Sequence, residues 1–187
     1  MQRILLFSAS TLAAAALLAS EGTAGGVRWS LPAGWTVQAP RSMRVATYTI
    51  PAASGAETGE CGVYYFGKGQ GGGVEENIAR WSQQFQGTPK PAVTDRTVAG
   101  LRVHRVVISG TYLAPAGPMM QSQGSRPNYR LLGAIVEAPE GLVFFKCTGP
   151  AATMSAAEKS FDALLASLGK AALSAAAPAG PVEAIAI

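Results

Sequence analysis

His104 is the only imidazole in a chain of 187 residues, and Cys61 and Cys147 are its only thiols. A nucleophilic site would use His104 as general base, take its nucleophile from Ser109 or Cys61, and need a carboxylate behind the ring. No nucleophile elbow surrounds Ser109. Arg102 and Arg105 flank His104 along the chain. They would hold the ring neutral and offer no orienting carboxylate, so it reads as a polar side chain on a sheet face. One His and two Cys also fall short of the three or four nitrogen or sulfur ligands that zinc prefers. Neither a metal nor a cofactor is expected.

Cys61 and Cys147 fall on two separate apolar runs. The C-x-x-C spacing of a redox pair is absent. In an exported chain two cysteines most often pair, so one disulfide between strands is expected, with two buried thiols as the rival. Closing so long a loop would stabilise the fold by about 3–5 kcal/mol. Gly67-Lys68-Gly69-Gln70-Gly71-Gly72 matches G-x-G-x-x-G between a strand and a helix. The dinucleotide fingerprint then requires a buried parallel strand ending in an acid about 20 residues on. Here the chain runs into Pro89 and Pro91 instead, and Glu75 and Glu76 at the helix start would repel a pyrophosphate. The run reads as a glycine loop. Three carboxylate pairs, Glu75/Glu76, Glu137/Glu140 and Glu57/Glu60, lie at a helix start, a turn and a loop, and none makes an acid/base couple.

Basic residues are the remaining candidates. Arg41, Arg44, Arg102, Arg105, Arg126 and Arg130 fall on or beside strands and one long loop. On one face they would form a docking surface for an acidic partner, a lipid headgroup or an envelope polymer; the plainer reading is scattered solubilising charge. Met119 and Met120 in that loop offer an adaptable apolar contact. Arg102, Arg105, Met119, Met120 and Arg126 are therefore the expected interaction surface. A net charge of +4 is modest for nucleic acid, which is not expected as a partner.

Two helices and a set of strands must position these groups. Val74, Ile78, Trp81 and Phe85 recur at helical spacing within Gly73–Phe85, with acids in the first turn and Gly87, Pro89 and Pro91 beyond the end. A second helix is expected over Ser155–Leu168, with Ser155 and Glu158 at capping-box spacing and Gly169 as its stop. Strands are expected at Met43–Ile50, Cys61–Phe66, Val93–Val98, Leu101–Leu113, Arg130–Ala138 and Gly141–Thr148. Ala99-Gly100 and Pro139-Glu140-Gly141 supply tight turns, so neighbouring strands run antiparallel. The order places helices on an antiparallel sheet of about six to seven strands, an α+β layer architecture. Ala114–Asn128 is a long connection without periodicity.

The ends differ from the middle. Arg3 precedes an apolar stretch that closes on the small residues Gly22 and Ala24. This is the pattern of a secretory signal peptide over 1–24, cleaved after Ala24. The apolar run is short for a spanning helix, so the protein is expected to be periplasmic or extracellular, without stable membrane insertion. Residues 170–187, rich in Ala with Pro178 and Pro181, read as a loose tail. One domain is left, 25–169.

The order of elements resembles the PsbP/Mog1-like fold, an antiparallel sheet sandwiched by helices, and a group of exported bacterial proteins of unknown role. The likeness is carried by Trp29 to Trp35 (WSLPAGW), Met43 to Thr47, Gly72-Gly73 with Asn77 to Trp81, Tyr129 to Val136, Phe144-Phe145-Lys146 and Gly149-Pro150. It implies an α/β/α sandwich and a non-catalytic module. The expected function is thus an exported, non-enzymatic module that binds a protein or cell-envelope component. Two alternatives stand beside it: a small-ligand pocket near Trp81 or Tyr64, and a hydrolase using His104.

Overall fold

Ala99 and Gly100 both adopt positive φ, +49° and +75°. This is the left-handed geometry that a two-residue hairpin requires. It joins β6 (Ala92–Val98) to β7 (Leu101–Leu113), pairing Val98 with Leu101 and Asp95 with His104. The turn at Pro139-Glu140 likewise joins β8 (Ser125–Ala138) to β9 (Gly141–Pro150). The computed structural model describes residues 21–113 and 124–171. Its remaining elements are β1 (Glu21–Ala24), β2 (Val27–Ser30), β3 (Thr36–Val37), β4 (Ala46–Ile50), β5 (Gly59–Tyr65), α1 (Val74–Ser82), α2 (Ala151–Ala156), α3 (Glu158–Ala166) and β10 (Gly169–Lys170).

Seven strands form one sheet in the order β3-β4-β5-β9-β8-β7-β6. Every pairing in it is antiparallel, as the tight turns predict. Three short strands make a second sheet, β1-β2-β10. Side chains alternate across the large sheet and build two cores. On one side Val63, Val103, Leu132, Ala134, Val136 and Phe145 meet Phe161, Leu164 and Leu165 of α3 and Trp29 of β2. On the other Val106, Ile108, Leu131, Ile135 and Phe144 meet Trp81 of α1 and Phe85 just beyond it. The α+β reading holds, with helices a minor part of the chain. Among the described residues no helix is long and apolar enough to cross a membrane.

Cys61 and Cys147 sit directly opposite each other on β5 and β9 and are joined as a disulfide across a sequence separation of 86. The expected bridge is present.

Several boundaries move. The expected Ser155 capping box is not used: the helix starts at Ala151, immediately after Pro150, whose extended backbone (φ −53°, ψ 140°) turns β9 into α2. Ser155 falls inside that helix and accepts a hydrogen bond from Arg130 Nη1 at 2.9 Å. Glu21–Ala24, placed with the leader by the sequence, form β1 and pair with β2 from Glu21↔Ser30 to Ala24↔Val27. Gly22 lies against the Trp29 indole so closely that a Cβ there would come within 2.3 Å of the ring. The structured chain therefore extends four residues earlier than expected, and cleavage after Ala24 would remove β1. Lys170, expected in the tail, pairs with Val27 in β10. β8 starts at Ser125, inside the span 114–128 expected as a connection.

Candidate functional site

Strand alternation puts Arg102, His104, Val106 and Ile108 on the α1 side of β7, and Leu101, Val103 and Arg105 on the α3 side. At His104 the carboxylates come from neighbouring strands rather than from sequence neighbours. Asp95 is its register partner on β6. Glu137 lies two residues beyond Ile135, its partner on β8. Nδ1 of His104 is 2.8 Å from Asp95 Oδ1, and Nε2 is 2.9 Å from Glu137 Oε1. An ionised carboxylate only accepts, so each ring nitrogen must carry a hydrogen. This arrangement favours the imidazolium form of His104, held between two carboxylates. Burial alone would lower its pKa, but the hydrogen bonds from Glu137 and Asp95 and their charges outweigh it, and the net shift is upward. Arg102 stands at 3.9 Å from Asp95 and 4.0 Å from Glu137.

This corrects the expectation that His104 lacks an orienting carboxylate, and the two acids favour its charged form over the neutral one. It also bears on the hydrolase alternative, which requires a hydroxyl or thiol within reach of a free ring nitrogen. Both nitrogens are taken by carboxylates. Ser82 faces the same groove, and among the described residues its hydroxyl has no hydrogen-bond partner. Among the described residues no group of three or more His, Cys, Asp or Glu is arranged to hold a metal ion.

The His104 cage floors an open groove of about 700 Å³ between α1 and the β6 end of the sheet. Val74 and Ile78 of α1 form one wall, and Thr88 to Pro91 with Val93 form the other. The helix is only nine residues long against a sheet seven strands wide, so it covers only part of that face. Its start is fixed by the glycine loop before it. Asn77, buried under the loop, donates through Nδ2 to the carbonyls of Gly71 and Gly73, both at 2.8 Å. The glycine motif is thus closed on its own helix.

A second, smaller cavity of about 220 Å³ opens on the other flank of α1, between Tyr64, Phe66, Trp81, Phe144 and Lys146. This is where the small-ligand alternative expects a cavity. Lys146 lies across the sheet from Gly62 on β5 and Gly133 on β8. Its ammonium donates to Gln84 Oε1 at 2.5 Å and to the Tyr112 hydroxyl at 3.4 Å, both neutral. Burial, with the nearby Arg44, lowers its pKa to about 8. Sequence reasoning missed Lys146 because a lysine in an apolar run reads as the solvated side of a strand. The available signal was that the run on either side of it, VFF and CTG, alternates into a core on both faces.

The described residues of the expected interaction surface, Arg102, Arg105 and Arg126, do not share one face. Arg102 lies in the groove. Arg105 projects to the opposite face, where Nη2 reaches Glu158 Oε1 at 2.6 Å and Nε reaches Asp162 Oδ1 at 2.8 Å; it ties β7 to α3. Arg126 is at the far end of β8, donating to the Tyr129 hydroxyl at 3.0 Å and Glu57 at 3.3 Å. Arg130 pairs with Glu158, and Arg41 and Arg44 both pair with Glu60. Met119 and Met120 lie outside the described residues. A single patch fails because Arg102 and Arg105 are an odd number of residues apart on one strand, which sends them to opposite faces.

No protein-family model matches the chain, and no curated protein matches it. Among solved structures it is similar to a crystal structure of a Pseudomonas aeruginosa protein of unknown function, at 13% sequence identity and a TM-score of 0.46, over 82% of this chain and 98% of that one.

Proposed function

We propose that the protein is an exported, non-enzymatic binding module whose partner, an extended segment of a cell-envelope protein, lies in the groove beside α1. The observation that carries this reading is the double engagement of His104 on the floor of the larger cleft. With both ring nitrogens hydrogen-bonded to acids, the chain's only imidazole has no lone pair for a proton or a metal. What remains is a surface that can hold something: apolar walls from Val74, Ile78 and Val93, and fixed charges at Asp95, Arg102 and Glu137.

Strand β6 bounds this groove and ends the sheet. Among the described residues its outer backbone groups have no strand partner, and an extended segment can continue the sheet there with alternate side chains entering the groove. The disulfide favours a compartment outside the cytosol. The resemblance to the PsbP/Mog1-like fold favours a non-catalytic role.

The test places a photo-crosslinking residue at Val93, which is 45% exposed, and in a control protein at Asp162 on the opposite face. A discrete adduct with an envelope protein from Val93 and none from Asp162 is expected. Equal labelling from both positions, or none from Val93, would reject the groove. A hydrolytic activity of the purified protein that disappears in His104→Gln would replace the reading with an enzymatic one.

A further inference from the structure

We propose that the slot over Lys146 is a binding site for a small carboxylate carried on a flat apolar body, independent of the groove that takes the protein partner. The slot is built by a row across three strands, Gly62–Lys146–Gly133. On each side of the lysine a glycine lets an aromatic ring drop onto the backbone. A Cβ on Gly133 would lie 2.4 Å from the Trp81 ring, and one on Gly62 would lie 2.8 Å from the Tyr64 hydroxyl. The two rings therefore stand as walls with the lysine between them. Phe66 stands at the mouth, 41% exposed, with its centroid 6.3 Å from that of Tyr64 and 6.0 Å from that of Phe144. Gly71 of the glycine loop backs it, where a Cβ would come within 2.7 Å of the Phe66 ring.

Charge specifies the ligand's head group. Among the described residues, the ammonium of Lys146 contacts only neutral acceptors, the Gln84 carbonyl and the Tyr112 hydroxyl. Nearby acids are already satisfied: Glu60 is gripped by Arg41 at 2.8 Å and Arg44 at 2.7 Å, and Glu76 by Arg80 at 2.7 Å. Arg44 further lies over the Tyr64 ring, 5.5 Å from its centroid. A half-buried cation with no directly paired counter-ion among the described residues, ringed by aromatic faces, is complementary to an anion attached to a flat apolar group. The depressed pKa of Lys146, about 8, accords with a missing anion, and a bound carboxylate should raise it.

The probe is sodium benzoate, followed by NMR on the disulfide-bonded protein. Saturable shifts at Trp81, Gly133 and Lys146 are expected. Benzyl alcohol, the same ring without charge, should bind roughly tenfold or more weakly, because it lacks a charge-assisted contact to the ammonium. Lys146→Met should abolish the preference for benzoate. In the unaltered protein, the Lys146 13Cε titration midpoint should move upward when benzoate is bound, a readout that needs no variant to fold. The proposal fails if benzoate moves none of these signals at millimolar concentration, if benzyl alcohol binds as tightly, or if the Lys146 midpoint stays in place. Val93 lies outside this slot, so failure here and failure of the crosslinking test are separately readable.

Discussion

Replacing Arg105 by methionine keeps the length and most of the volume of the side chain but removes its charge and donors. The Arg105 side chain is 16% exposed and makes two short charge-assisted bonds, to Glu158 and Asp162. Such bonds contribute about 1.5–3 kcal/mol each when sheltered. Glu158 and Asp162 are 34% and 41% exposed, so both can rehydrate, and Arg130 still holds Glu158 at 3.1 Å. After that discount the expected loss is about 1–3 kcal/mol in total. This corresponds to a fall in melting temperature of roughly 2–10 °C for a domain of this size. The pH dependence has a definite sign. Hydrogen bonding from Arg105 is the largest influence on Glu158, and with Arg130 it outweighs burial to hold the carboxyl below its usual range. A depressed carboxylate contributes its stability above its unfolded pKa, about 4.3, and loses it as pH falls through the lower folded value. Urea denaturation followed by circular dichroism should show the full gap between wild type and Arg105→Met at neutral pH and a smaller gap in strong acid. A gap under about 0.5 kcal/mol at neutral pH, or one that does not narrow in acid, would refute the view of Arg105 as a strut. The Val93 crosslink should survive the change.

Removing the disulfide by the double change Cys61→Ala and Cys147→Ala releases a loop of 86 residues. It should cost about 4–5 kcal/mol by chain entropy, read from the denaturation midpoint of the oxidised protein against the variant; an unchanged midpoint would contradict it. Gly133→Ala drives a methyl group into the Trp81 ring, a contact of 2.4 Å without relaxation. It should destabilise by about 1–3 kcal/mol through overpacking and shift the Trp81 indole resonance, whereas a silent substitution would mean the ring does not rest on that glycine.

Strands with tight turns were legible because period-two patterning and turn residues act locally. Leu101–Leu113 has the same ends in sequence and structure, and the Val74–Phe85 stripe does face the sheet. The His104 cage was not legible. Its partners sit 9 and 33 residues away and converge only through the register of three strands, whereas the flanking arginines were visible and misleading. The Lys146 slot was hidden for the same reason, because its two glycines belong to different strands. The second helix began earlier than its capping pattern suggested because Pro150 ends β9 and the chain turns into helix at once. Glu21–Ala24 lay in the shadow of the apolar leader, and only the pairing with β2 and the seat on Trp29 gave them a place in the fold.

The two carboxylates on His104 make it a caged cation rather than a free base. Because the chain has one histidine, a nitrogen-detected NMR titration of its imidazole reads this residue without ambiguity. Asp95 and Glu137 face the ring from β6 and β8, Arg102 from its own strand, and Glu75 and Lys90 from the groove walls. A folded pKa raised above the ordinary value means the cation's contribution to stability is fully present below pH 6.5 and is lost as pH rises through the higher folded value. Two protonated ring nitrogens persisting above pH 6.5, with a midpoint beyond that value, are the predicted result. A midpoint below 6.5, or a single unprotonated nitrogen already present in mild acid, would contradict it and return His104 to the list of possible general bases.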